Sequence, residues 1–146
     1  MEAQLLFNQQ LQRRYQDIHL RDFVTKLITN LQPAARQQNC FVLNNISPTI
    51  IVTTDEKLLA AVINDLLTVV VSRNKNSSIC ISAKQFSALV LLHIDERQSK
   101  LKQSLLSDFD LLQPLAAKIG GCITVSGHEE NSETLALSFL DYANVI

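Results

Sequence analysis

Glycine is scarce in this chain. Three of its 146 residues are glycine, and all of them, Gly120, Gly121 and Gly127, lie near the C-terminal end. A loop that wraps phosphate groups with its backbone needs residues that have no side chain and can adopt positive φ. The composition therefore argues against a glycine-rich phosphate-binding loop anywhere before residue 120.

Cysteine is equally sparse, with Cys40, Cys80 and Cys122 far apart in the sequence. An odd number of cysteines without a CxxC pair argues against a disulfide framework and against a zinc site. Cys80 and Cys122 each lie in an apolar, strand-like run. We expect both side chains to be small buried hydrophobes.

Charge and long apolar runs are also lacking. The net charge is -1 and the pI is about 6.3, so neither a nucleic-acid-binding surface nor a membrane-attracting patch is indicated. No apolar run is long enough to cross a bilayer, and the N-terminus lacks the basic-then-apolar pattern of a signal peptide. With 47% hydrophobic residues, the chain is expected to be one folded cytoplasmic domain without membrane insertion.

What the chain does contain is a long amphipathic helix, predicted over residues 54–71 after a short strand at 50–52. Apolar residues recur there at helical spacing, so one face is buried. These residues are Leu59, Val62, Ile63, Leu66 and Val70. Asp55 is placed to cap the helix, because its carboxylate can accept from the N–H groups of the first turn.

The remaining segments alternate around this helix. A helix is predicted over residues 20–38 and a strand at 41–43, and a strand pair at 79–84 and 88–94 follows the central helix. A third helix is predicted over residues 105–119, ended by Gly120, and a final hairpin joins strands at 122–126 and 134–140. This order predicts an α/β (α+β) two-layer sandwich with a mixed β-sheet and three main helices on one face.

The first 18 residues are predicted to be helical. They form either an extra helix packed on the domain or the remnant of a dimerisation helix, which would make a homodimer. The domain division that follows is 1–18 for the helix and 19–146 for the main domain.

The order of elements over residues 17–140 resembles the ATP-binding domain of sensor histidine kinases, the GHKL ATPase fold. The C-terminal part carries most of the likeness: a helix that ends at a Gly-Gly pair, a strand, a glycine-containing turn and a last strand. The resemblance implies a domain that binds ATP and magnesium in two-component signalling.

The first motif of that family places magnesium-binding asparagines on the central helix. When the apolar pairs are matched, Asp65 and Val69 stand at those two positions. Magnesium prefers hard oxygen ligands, and valine supplies none. A shift of one residue brings in Asn64 and Thr68 instead, but it rotates the apolar face by about 100°.

The second motif, DxGxG, supplies an aspartate that accepts from the adenine amino group. Asp95 stands at the matching place, and no glycine follows it. At the third motif, a glycine-rich phosphate cradle, this chain has Leu106 and Asp108. We predict that Val69, Leu106 and Phe109 fill the former nucleotide pocket, because empty apolar volume is destabilising.

The phosphoacceptor signature, a histidine followed by an acidic residue on a helix, is missing at His19, His93 and His128. No nucleophile elbow or HExxH spacing is present. The resulting hypothesis is a degenerate histidine-kinase-type domain that binds neither ATP nor another cofactor. It acts as an interaction module for a kinase or a response regulator.

Two alternatives remain open at this point. One is a divergent ATP-binding catalytic domain that uses Asn64, Asp65 and Asp95 with magnesium. The other is a protein similar to histidine phosphotransferases. No catalytic residue and no metal ligand is assigned under the leading hypothesis.

Overall fold

The computed structural model describes residues 15–97, 109–129 and 132–145. Within these ranges no helix is both long and apolar enough to cross a membrane. The elements, in chain order, are β1 (Tyr15–His19), α1 (Leu20–Gln37), β2 (Cys40–Asn44), β3 (Ile51–Asp55), α2 (Glu56–Arg73), β4 (Ser77–Phe86), β5 (Leu89–Arg97), α3 (Gln113–Ala117), β6 (Cys122–Glu129) and β7 (Ser132–Leu140).

Five strands form a mixed sheet in the order β2-β4-β5-β7-β6. The β2–β4 pair is parallel, and the other neighbouring strands are antiparallel. The two remaining strands, β1 and β3, form a separate antiparallel ribbon. The predicted two-layer arrangement of a mixed sheet and three helices is confirmed.

One face of the sheet is packed into the core and the other is not. Successive side chains of a strand point to opposite faces, so the buried residues Val90, Leu92 and Ile94 define the packed side of β5. We call this side the helix face. The side with Cys80, which is half-buried, is the open face.

The central helix α2 runs two residues later than the predicted limits. Asp55 caps it as expected, because its carboxylate accepts from the N–H of Leu58 at 3.1 Å. The predicted apolar stripe is the buried one. The buried residues of α2 are Leu59, Val62, Ile63, Leu66, Leu67, Val70 and Val71.

The predicted helix over residues 1–18 is wrong for residues 15–18, which lie in strand β1. Residues 1–14 lie outside the described part. Ile18 is buried opposite Val52, and the ring of Tyr15 stacks on Tyr142 with a centroid distance of 4.3 Å. These partners are distant in sequence, so local periodicity gave no signal for the strand.

The third helix is interrupted in its described part. Helix is present at residues 109–110 and again over Gln113–Ala117, with a turn at residues 111–112 between the two pieces. Pro114 lies in the first turn of α3, where its missing N–H is harmless because the first N–H groups of a helix have no partner within the helix. Residues 105–108 of the prediction lie outside the described ranges.

The two residues of the Gly-Gly pair that ends this segment are each required for a different structural reason. Gly120 has φ 71°, in the left-handed region expected at a helix C-terminus. A Cβ on Gly121 would lie 1.6 Å from the carbonyl oxygen of Ser138, so only glycine fits there. Both residues are therefore required by the backbone path.

Asp141 joins the ribbon to the main sheet although it is almost fully buried. Its carboxylate accepts from the backbone N–H of Thr53 at 2.9 Å and of Ala143 at 3.2 Å. It also accepts from the side-chain amides of Gln85 at 2.6 Å and Asn144 at 3.0 Å. Four donors compensate the cost of burying this charge.

Candidate functional site

The end of β5 is the candidate site, and it carries two neighbouring carboxylates on opposite faces of the sheet. Glu96 continues the buried series from Ile94 and is only 1% exposed. It lies directly opposite Ile79 of β4, which is also buried. Since paired residues of adjacent strands share a face, Glu96 lies on the helix face.

Asp95 lies on the open face instead. Its neighbours across the sheet are Cys80 of β4 and Thr134 of β7. The Thr134 hydroxyl donates to the Asp95 Oδ1 at 2.7 Å. The carboxylate is thus held by a side chain of the adjacent strand.

The other two sequence-derived candidates, Asn64 and Asp65, lie half-buried on α2. The Thr68 hydroxyl donates to the backbone carbonyl of Asn64 at 2.7 Å. Because α2 packs against the helix face, the sheet separates both residues from the Asp95 carboxylate. The structure therefore does not bring Asp95 together with Asn64 or Asp65.

The positions expected to fill the former pocket have different environments. Phe109 is buried in the core, whereas Val69 is only partly buried against it. Leu106 and Asp108 lie outside the described residues. Among the described residues, no group of three or more His, Cys, Asp or Glu side chains could hold a metal ion.

The helix face near Glu96 also carries a buried thiol. Cys40 of β2 lies beside Ser77 of β4, with 3.9 Å between the Sγ and Oγ atoms. Burial raises the pKa of the Cys40 thiol; the hydrogen bond with Ser77 lowers it, and the negative charge of Glu96 raises it further. The environment of Cys40 therefore favours the neutral thiol, beside the buried carboxylate of Glu96.

The prediction that Cys80 and Cys122 are buried is wrong. Cys80 is half-buried and Cys122 is exposed, while Cys40 is the buried cysteine. An apolar run marks a strand without stating which face each residue takes. Because side chains alternate between the two faces of a sheet, Cys80 and Cys122 both lie on the open face.

Motif matching missed Glu96 because it relied on residue type. The alternation Val90, Leu92, Ile94, Glu96 was available in the sequence and places Glu96 on the same side as the core residues. By that alternation, Asp95 has the opposite phase. Matching by residue type thus selects the Asp95 carboxylate, whereas the alternation of side chains along β5 selects the Glu96 carboxylate.

None of the described histidines lies on a helix. His19 is exposed at the end of β1, and His93 is half-buried on the open face of β5. His128 lies in β6. In the described part of the chain, no helical histidine is therefore offered to a phosphate donor.

No protein-family model and no curated protein matches the sequence. Solved structures do. The histidine kinase AdeS of Acinetobacter baumannii superposes with a TM-score of 0.75 at 15% identity, over 94% of this chain and 73% of that one. The nucleotide-free catalytic domain of the histidine kinase ThkA gives 0.71 at 13% identity, over 87% and 95% of the two chains.

This chain has the fold of a histidine kinase catalytic domain. A structure of ThkA in complex with the response regulator protein TrrA is also similar, with a TM-score of 0.71 at 13% identity. It is matched over 87% of this chain and 42% of that chain. At such identities the likeness concerns the fold, so function must be argued from the residues.

Proposed function

We propose that this domain is a degenerate relative of histidine kinase catalytic domains that does not bind ATP. It acts as a protein-interaction module in two-component signalling in the cytoplasm, with a kinase or a response regulator as partner. The observation that carries the proposal is the position of Asp95. The carboxylate that matches the adenine-binding motif points away from the helices and is engaged by Thr134.

The backbone requirements of phosphate binding support the same conclusion. A phosphate cradle needs glycine, and Gly120 and Gly121 serve a helix end and a close backbone contact instead. On α2, Val69 occupies a motif position without an oxygen ligand. The scaffold is kept, whereas Val69 and the residues that follow Asp95 lack the residue types that the magnesium and phosphate motifs require.

The choice of partner class rests on the fold. The ThkA structure with TrrA shows that a kinase with this catalytic fold assembles with a response regulator. A domain that keeps the fold without nucleotide chemistry can keep such a protein contact. We therefore expect association with a receiver domain or with another kinase chain.

The test is isothermal titration with ADP and ATP, with and without magnesium, together with thermal shift. A ligand at 100 times its Kd stabilises a fold by roughly 2.7 kcal/mol, which a melting curve resolves easily. We expect neither heat nor shift up to millimolar nucleotide. The ThkA catalytic domain, tested in parallel, serves as a reference, and micromolar nucleotide binding by this chain would overturn the proposal.

The second candidate function is a divergent nucleotide-binding domain, and the buried Glu96 carboxylate favours it. Glu96 lies at a strand end on the helix face, the side on which α2 carries Asn64 and Asp65. A carboxylate there can accept from an adenine amino group.

If the titration detects nucleotide, two variants identify the carboxylate that binds it. Loss of binding in Glu96→Gln with retention in Asp95→Asn assigns the contact to Glu96. The reverse result restores the motif-based assignment to Asp95.

A further inference from the structure

The strand β2 forms one border of the main sheet and pairs only with β4 among the described strands. Alternate N–H and C=O groups of a border strand point away from the sheet and can pair with another chain. Proteins usually block such borders with charged residues, proline or a bulge. The β2 sequence, Cys-Phe-Val-Leu-Asn, contains no charged residue and no proline, and its pairing with β4 is regular.

The opposite border strand, β6, has such protection. Its pairing with β7 shifts register between Ser126 and Glu129. Thr124, in the middle of the strand, exposes a polar side chain. Of the two borders of the main sheet, the described residues therefore leave the β2 border without such protection.

The exposed side chains of β2 are large and apolar. Phe41 is 65% exposed and Leu43 is 55% exposed. They are two residues apart and share one face of the strand. An added strand could cover both with its own apolar side chains.

A cleft of about 260 Å³ runs beside β2, which we call the β2 cleft. It is lined by Gln32 and Arg36 of α1, by Asn39 and by the first four residues of β2. Among the described residues, the Arg36 side chain has no hydrogen-bond or ion-pair partner. The cleft therefore offers a free guanidinium at the N-terminal end of an open strand, and its best complement is a carboxylate.

We propose that the β2 cleft binds an extended segment of a partner protein as an added strand. The segment carries apolar side chains at alternate positions, which cover Phe41 and Leu43, and an acidic residue that meets Arg36. Backbone hydrogen bonds supply affinity, and the ion pair sets the register. The inference rests on the proposed interaction module, because it gives that module a binding surface.

The probe is a fluorescein-labelled nine-residue peptide of alternating valine and threonine with an aspartate at its C-terminal end. Its binding is measured by fluorescence anisotropy. We expect saturable binding that is lost when the peptide is N-methylated at alternate residues, since N-methylation removes the backbone donors. Absence of binding up to 1 mM peptide, or equal binding of the N-methylated peptide, would overturn the proposal.

A charge swap tests the role of Arg36. Arg36→Glu should weaken binding at least tenfold, and a peptide with lysine in place of aspartate should recover most of that loss. The matched control is Lys26→Glu, the same reversal on the exposed side of α1 away from the cleft, which should change binding less than twofold. Equal losses in the two variants would reduce the effect to general charge and contradict the site.

Sedimentation of the chain alone, before and after Phe41→Ser, tests a second copy as the occupant. We expect a monomer in both cases. A dimer that Phe41→Ser breaks would assign β2 to self-association and overturn the partner proposal. Nucleotide titration of the same sample separates the two proposals, because nucleotide binding contradicts the degenerate module without affecting the β2 cleft.

Discussion

The two faces of the main sheet differ sharply, although their residues alternate along the same strands. On the helix face, Leu92, Ile94 and Phe139 are buried together in one core. On the open face, Phe86 and Cys122 are exposed and Asp95 is partly exposed. The helix face therefore specifies the fold, while in the described part of the chain the open face and the β2 border present exposed side chains for other interactions.

The largest expected difference in unfolding free energy is between the truncation of a buried phenylalanine on the helix face and that of an exposed phenylalanine on the open face. Phe139→Ala empties a fully buried site and should lower the free energy of unfolding by about 3–5 kcal/mol. Phe86→Ala is the matched control: its ring is 58% exposed, and the loss should stay below about 1 kcal/mol. Urea unfolding followed by circular dichroism measures both, and equal losses would contradict the division into two faces.

A smaller difference is expected between two aspartates. Asp141→Asn turns an acceptor into a donor opposite the amides of Gln85 and Asn144, and should cost about 1–3 kcal/mol. Asp95→Asn keeps a carbonyl oxygen that the Thr134 hydroxyl can reach, and should cost less than about 1 kcal/mol. Thermal melts of the two variants provide the comparison, and a larger loss in Asp95→Asn would reverse our ranking.

The smallest effect concerns pH. Because burial raises the pKa of the Cys40 thiol, the folded chain holds this proton more tightly than the unfolded chain does. The contribution is fully present below the unfolded pKa and is lost as pH rises through the folded pKa. Stability should therefore fall at alkaline pH more steeply in the wild type than in Cys40→Ala.

The control for that experiment is Cys122→Ala, which removes an exposed thiol. Its urea unfolding free energy should fall with rising alkaline pH as that of the wild type does. If Cys40→Ala and the wild type have parallel profiles, the buried thiol does not contribute.

Sequence reasoning succeeded where a pattern repeats within one element. The spacing of Leu59, Val62 and Leu66 predicted α2, and Asp55 was identified as its cap. The order of helices and strands predicted the two-layer fold. These features depend on neighbouring residues along the chain, so the sequence displays them directly.

Sequence reasoning failed where the partner lies far away. Tyr15 and Ile18 lie in a strand because β1 pairs with β3 and because the Tyr15 ring stacks on Tyr142. The roles of Asn64, Asp65 and Asp95 in nucleotide binding stay predictions. Asn64 and Asp65 lie on the helix-face side of the sheet and Asp95 lies on the open face. From the sequence, this separation could have been found only from the alternation of side chains along β5.

By itself, the sequence determined the helical periodicity of α2, the end of the third helix at Gly120, and the scarcity of glycine that disfavours a phosphate cradle. Only the tertiary structure decided that Thr134 holds the Asp95 carboxylate, that Asp141 is buried with four donors, and that β2 is a border strand. The physical reason is range: periodicity and backbone freedom are local properties. Burial, charge compensation and strand neighbours depend on residues that meet only when the chain folds.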